Sequence, residues 1–135
     1  MKVGLHELVL YLRLAQAYKI RLELLNRDRA LVMAGCCAAI LEHDEIAAFC
    51  RELILDNNHG HMIRRWKTFR EALHDPDFHV FLKQVRRRIP VEVAESTLLQ
   101  LEYECDVRRQ DYDSDREYAA AVMGVDHEWL SENFG

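Results

Sequence analysis

Residues 5–25 read LHELVLYLRLAQAYKIRLELL, and two apolar stripes run through them: Leu8, Leu12, Ala15, Tyr18, Leu22 and Leu25, then Leu10, Leu14, Ala17 and Leu24. Steps of three and four are the helical period. The arc they cover is too wide for one neighbour to hide on a helix roughly 30 Å long. This helix is therefore expected either at the centre of a bundle or in a subunit interface. Leu10, Leu14, Ala17 and Leu24 are the residues expected to carry self-association.

The same period continues downstream. Asn26 or Asp28 is expected to cap a second helix, in which the uncharged run Ala30 to Leu41 is buried on most sides. An amphipathic element over about 44–56 buries Ile46, Phe49, Cys50, Leu53 and Ile54, either continuous with the second helix or separate from it, and Asn57 to Gly60 end it. A fourth helix is expected over 61–73. Asp75 and Pro76 then cap and open a fifth that runs to Arg88, because proline suits the first helical turn. Pro90 interrupts the chain before a helix over 91–109 that turns Val93, Leu98, Leu101 and Cys105 inward. Ser114 caps a short helix over 115–123, Gly124 closes it, and Asp126 starts the last, to Phe134. With no period-two alternation, the expected fold class is all-α: one domain over 1–135, a bundle of about six helices with short loops.

Composition supports a folded chain. Half of the 135 residues are apolar, 30% are charged, and only 5 Gly and 2 Pro occur, which excludes collagen-like and disordered readings. The longest apolar run, about twelve residues, is well short of the ~20 that span a bilayer, and Met1 to Leu10 carries His6 and Glu7 and no small-residue cleavage site. Cys36, Cys37, Cys50 and Cys105 show no Cys-x-x-Cys spacing and read as small apolar residues in a reducing compartment. The expected location is the cytoplasm, without membrane contact.

The net charge of −5 is unevenly laid out: 7 Lys and Arg against 8 Asp and Glu in 1–58, 8 against 3 in 59–90, and 3 against 12 in 91–135. Adjacent blocks of opposite sign are expected to neutralise each other within the fold or between subunits. The alternative is a nucleic-acid contact on the helices of 61–89, through Arg64, Arg65, Lys67, Arg70, Lys83, Arg86, Arg87 and Arg88. Trp66 and Phe69 are interleaved with these cations, but with Leu73 they step by three and four, the spacing of a core face.

Seven histidines raise the question of a metal, since His59-Gly60-His61 can present two imidazoles from a loop. His43 and Asp44 resemble the adjacent doublet of the HD phosphohydrolase family, in which a His and an Asp bind metal on a helical scaffold. That resemblance covers two residues, lacks the apolar and glycine surroundings of the family's doublet, and implies a metal-dependent hydrolase using His43, Asp44, His59 and His61. Phe49, Leu53 and Asp56, then Phe69, Ala72, Leu73, Asp75 and Pro76, resemble the closing helix of a tetratricopeptide repeat. Their 20-residue offset is not that family's period of about 34, and its tryptophan and leucine-glycine positions are missing, so they read as ordinary helix core. Ala120, Gly124, Val125, Asp126 and Leu130 resemble the turn of a helix-turn-helix. The helix that follows, 127–134, contains no Lys or Arg to meet phosphate, which leaves a tight helical corner.

No phosphate-binding glycine loop, nucleophile elbow or His-Glu-x-x-His occurs, and the sequence calls for no cofactor. The function expected from these residues is a non-catalytic protein-protein interaction or regulatory module whose partner is a second copy of itself.

Overall fold

The computed structural model describes residues 3–135 and is all-helical. Its α-helices are α1 (Leu5–Ile20), α2 (Leu24–Ile40), α3 (Asp44–Asn57), α4 (Phe69–Leu73), α5 (Pro76–Arg88), α6 (Val91–Gln100), α7 (Asp115–Val122) and α8 (His127–Phe134). Short 3-10 turns lie at Met62–Arg65 and Arg109–Asp111. Eight helices rather than about six form the bundle.

The first three helices are joined by turns of a few residues. α1 is central, packed against α2, α6 and α7, so the wide apolar arc is spent inside the chain. Leu8 to Leu12, Leu14, Ala15, Ala17 and Tyr18 are all buried. α2 is more enclosed still, with every residue from Ala30 to Ala39 buried between α1, α3, α4 and α5. Its Gly35 is set where the ring of Phe69 lies: a Cβ there would come within 2.2 Å of that ring. Absence of a side chain lets α4 approach the core helix.

Several expected boundaries move. The first helix stops at Ile20, not Leu25, because Leu22 takes a left-handed backbone, φ 59°. α2 accordingly starts at Leu24, with Glu23 at its N-cap position, and Asn26 and Asp28 lie inside it. α2 and α3 are separate. The fourth helix is broken: a 3-10 turn and an extended Trp66 precede Thr68, whose hydroxyl accepts from Glu71 N at 3.0 Å and so starts α4 anew. α6 ends at Gln100, after which Glu102 turns left-handed (φ 51°) and the chain runs irregularly to 108. Val93, expected inward, is 42% exposed.

Other starts stand as read. Asp75 accepts from Asp77 N, Ser114 from Glu117 N and Asp126 from Glu128 N. Gly124, at φ 79°, closes α7: Val125 N donates to Ala120 O and Gly124 N to Ala121 O. Ala120 and Leu130 are fully buried in the crossing of α7 and α8, the tight corner expected there. No described helix is long and apolar enough to cross a membrane.

Candidate functional site

The α1–α2 corner has a counterpart twenty residues on. At the first, Glu23 N donates to Tyr18 O (2.9 Å) and Leu22 N to Lys19 O (3.0 Å); at the second, His43 N donates to Ala38 O (2.8 Å) and Glu42 N to Ala39 O (3.1 Å). These are two Schellman motifs. Leu22 and Glu42 hold the left-handed position, φ 59° and 65°, and Glu23 and His43 follow with φ near −92° and ψ near 70° in both. The backbone is shared, but the side chains are not. Where the second turn carries Glu42, Asp44 and Glu45, the first carries Leu22, Leu24 and Leu25. The shared geometry therefore does not require leucine.

Exposure sharpens the contrast. Ile20, Leu22 and Leu25 are 73%, 82% and 65% exposed, three large apolar side chains in water within six residues. Leu22 carries a second cost, since its Cβ makes the left-handed conformation unfavourable by about 1–2 kcal/mol. Arg21 and Glu23, also exposed, flank it and join no ion pair among the described residues.

Beneath the corner the start of α2 is pinned to the end of α3. Arg27 Nη2 donates to Asp28 Oδ1 (3.1 Å) and to Leu53 O (2.9 Å), and Asn57 Nδ2 donates to Asp28 Oδ2 (2.8 Å). Both charged residues are buried, so each depends on the other and on these partners. The corner thus projects from a rigid base.

Of the residues expected to carry self-association, Leu10, Leu14 and Ala17 are buried in the chain's own core and Leu24 is half-buried. The first three are enclosed because α2, α6 and α7 surround α1. The exposed apolar residues are their neighbours across the turn.

The four residues read as metal ligands are not brought together. His43 and Asp44 begin α3, whereas His59 and His61 lie beyond its end, about 20 Å away for a helix of 14 residues. Asp44 accepts from Arg70 Nη2 at 2.8 Å. The hollow beside it is lined by Glu42, His43, Asp44, Glu45, Ile46 and Arg116, whose guanidinium bonds Glu45 and, at 2.6 Å, Ser131 Oγ. His43 is half-buried rather than exposed. His61 accepts from Ile63 N through Nδ1 at 3.1 Å and meets the Phe81 ring edge-on; burial lowers its pKa below the ordinary imidazole value, and nearby Asp28 partly opposes this. No group of three or more metal-ligating side chains converges among the described residues.

The cysteines are free: Cys36, Cys37 and Cys50 are buried and Cys105 is half-buried. Burial pushes the Cys37 thiol up to about 12, and those of Cys36 and Cys50 higher. Burial thus favours the thiol over the thiolate at Cys36, Cys37 and Cys50.

The basic residues are on the surface. Arg64, Arg65, Lys67, Arg70, Lys83, Arg87 and Arg88 are exposed, and Arg86 is half-buried. Arg65 pairs with Asp77 (3.3 Å) and Arg70 with Asp44 (2.8 Å). Among the described residues no ion pair joins 59–90 to 91–135, so the expected neutralisation of one block by the other is not made through direct contacts. Trp66 and Phe69 are buried, as their spacing indicates, and Trp66 Nε1 donates to Asp75 Oδ2 at 2.9 Å.

Comparison with protein-family models, with curated proteins and with solved structures returns no match. The corner itself went unread in the sequence because Leu22 and Leu25 continue the stripe of Leu8 to Tyr18 without a break. The signal that marks it is the twenty-residue offset between Ile20-Arg21-Leu22-Glu23 and Ile40-Leu41-Glu42-His43.

Proposed function

We propose that this protein is a self-associating docking module whose contact surface is the α1–α2 corner. The observation that carries this reading is the pair of turns: one backbone geometry, polar at Glu42 and apolar at Leu22, with Ile20 and Leu25 beside it in water. An exposed leucine in a strained conformation gains nothing for the isolated chain, whereas a partner that covers it recovers the hydrophobic contribution. A second copy suits the charges. In a two-fold pairing Arg21 meets the partner's Glu23 and Glu23 meets the partner's Arg21, across an apolar ridge that is complementary to itself.

Three large apolar side chains on each copy make a small interface, which suits a transient contact rather than a permanent one.

Sedimentation velocity of the full chain over a wide concentration range tests this. The expected mass rises from one chain toward two, and Leu22→Asp with Leu25→Glu holds it at one. Leu22→Gly is the finer probe. It removes the apolar contact but relieves the left-handed strain, so it should weaken association while raising the unfolding midpoint. A chain monomeric throughout, or a dimer indifferent to Leu22→Gly and Leu25→Ser, overturns the reading.

A further inference from the structure

The corner does not account for the exposed cations of residues 59–90. All three acidic residues of that segment are already engaged. Glu71 accepts from Lys67 N (3.2 Å), Asp75 from Trp66 Nε1 and Asp77 N (both 2.9 Å), and Asp77 from Arg65 (3.3 Å). Nor do the acidic residues of 91–135 form ion pairs with it among the described residues. Among the described residues Lys67, Lys83, Arg87 and Arg88 are exposed with no carboxylate in ion-pair contact, and Arg64 hydrogen-bonds the carbonyl of His59 (3.4 Å).

These cations gather at the two ends of α5, with Lys83 between them on its outer face. α5 turns Phe78, Leu82 and Val85 inward, which leaves Val80, Lys83, Gln84 and Arg87 on the outer face. Asp77, Gln84 and Arg88, at steps of seven and four, run along one edge of that face. The Arg65–Asp77 pair sets Arg65 at the head of the edge, its guanidinium 4.9 Å over the Trp66 ring, with Arg64 and Lys67 close by in the chain. Arg87 and Arg88 stand at the foot, roughly 15 Å further along the helix.

Positive charge spread over that length matches a chain of phosphates better than a single anion. Arg70 is paired with Asp44, and four of the other six exposed cations are arginines, whose planar forks suit phosphate oxygens. Trp66 is 7% exposed and its only polar hydrogen is committed to Asp75, so its ring is not free for stacking. Val80 is the single large apolar side chain exposed on α5, too little to enter a bilayer. From this ridge we infer a second activity: Arg64, Arg65, Lys67, Lys83, Arg87 and Arg88 bind the phosphate backbone of a nucleic acid without reading its sequence.

Fluorescence anisotropy of the full chain tests it, using a 20-nucleotide single-stranded RNA and a 20-base-pair DNA duplex, each in two unrelated sequences, from 20 to 200 mM KCl. Binding is expected at low salt, within twofold between sequences, and falling steeply as salt rises. Lys83→Gln, Arg87→Gln and Arg88→Gln together remove the charges but keep polar side chains and should lower the slope of log affinity against log salt by about 2 to 3. Charge reversal at the same positions should abolish binding. Circular dichroism checks that both variants keep the fold, and the milder set supplies the result if the reversed one fails to fold. No binding at 20 mM KCl, or binding unchanged in the neutralised variant, overturns the inference. A tenfold preference between sequences overturns the absence of readout. Retention on vesicles containing 30% phosphatidylserine without nucleic-acid binding assigns the ridge to a membrane and overturns it. So does loss of self-association in the neutralised variant without nucleic-acid binding, which assigns the ridge to a second copy.

Discussion

The guanidinium of Arg27 and the carboxylate of Asp28, neighbours in the chain, meet at 3.1 Å inside the protein, 8% and 3% exposed. Adjacent residues on a helix diverge by about 100°, so this pair closes only because Leu53 O and Asn57 Nδ2 hold the two groups from the α3 side. Removing one partner leaves the other buried and unpaired. Asp28→Ala should therefore lower unfolding free energy by about 3–5 kcal/mol, read by urea denaturation, whereas Arg27→Met with Asp28→Leu should cost clearly less than Asp28→Ala alone. Equal losses in the two variants would mean that packing, not charge, decides.

Gly35 tests how closely α4 sits on the core helix. Alanine is the better helix former by about 1 kcal/mol, yet its Cβ would lie 2.2 to 2.6 Å from three atoms of the Phe69 ring, which is 1% exposed. Overpacking of this kind costs about 1–3 kcal/mol. Gly35→Ala is expected to be destabilising overall, and Phe69→Leu, harmful by itself, should be less harmful in its presence. A thermal midpoint raised by Gly35→Ala would show that α4 is free to move away.

Stability should depend on His61. Its pKa in the folded chain lies below the ordinary imidazole value of 6.5 because burial disfavours the imidazolium. A base so shifted binds more protons unfolded than folded in the window between the two values. Stability is thus fully present above that window and is lost as pH falls through 6.5 toward the folded value. Protonation of Nδ1 also removes the acceptor for Ile63 N. His61→Asn keeps an acceptor and does not titrate, so the fall in urea midpoint between pH 7.5 and 5.5 should be smaller in this variant. An identical fall in both proteins would place the titration elsewhere.

Thiol chemistry should separate the cysteines. Cys105 is half-buried, while Cys36, Cys37 and Cys50 are enclosed by α1, α2, α3 and their neighbours. An aromatic disulfide reagent at pH 8 is expected to titrate one thiol quickly in the native protein and the other three only on unfolding. Cys105→Ser should remove the fast phase. Fast reaction at Cys37 would show that the mouth of its cavity, lined by Tyr11, Met33 and Arg86, opens in solution.

How far the sequence was legible depends on how local the cause was. Asp75 with Pro76, Ser114, and Gly124 with Asp126 act within one turn of chain, and each starts or ends a helix where it was read. The break after Met62–Arg65 was not legible, since Trp66, Phe69 and Leu73 keep helical spacing across it. There Trp66 leaves the helix to reach Asp75, and Thr68 begins again. The metal reading failed through distance, because α3 stands between His43 and His61.

The amino-acid pattern alone determined the helical class, the burial of Ala30 to Ala39 and most capping residues, because three- and four-step periodicity and side-chain caps are properties of neighbouring residues. It also showed that α1 has too much apolar surface for one neighbour. Whether that surface is covered by the same chain or by another is a matter of which helices return to it, and only the packed structure, with α2, α6 and α7 around Leu10, Leu14 and Ala17, decided for the former. The same packing left Ile20, Leu22 and Leu25 outside, since a left-handed turn at Leu22 carries the end of the stripe away from the core it had followed.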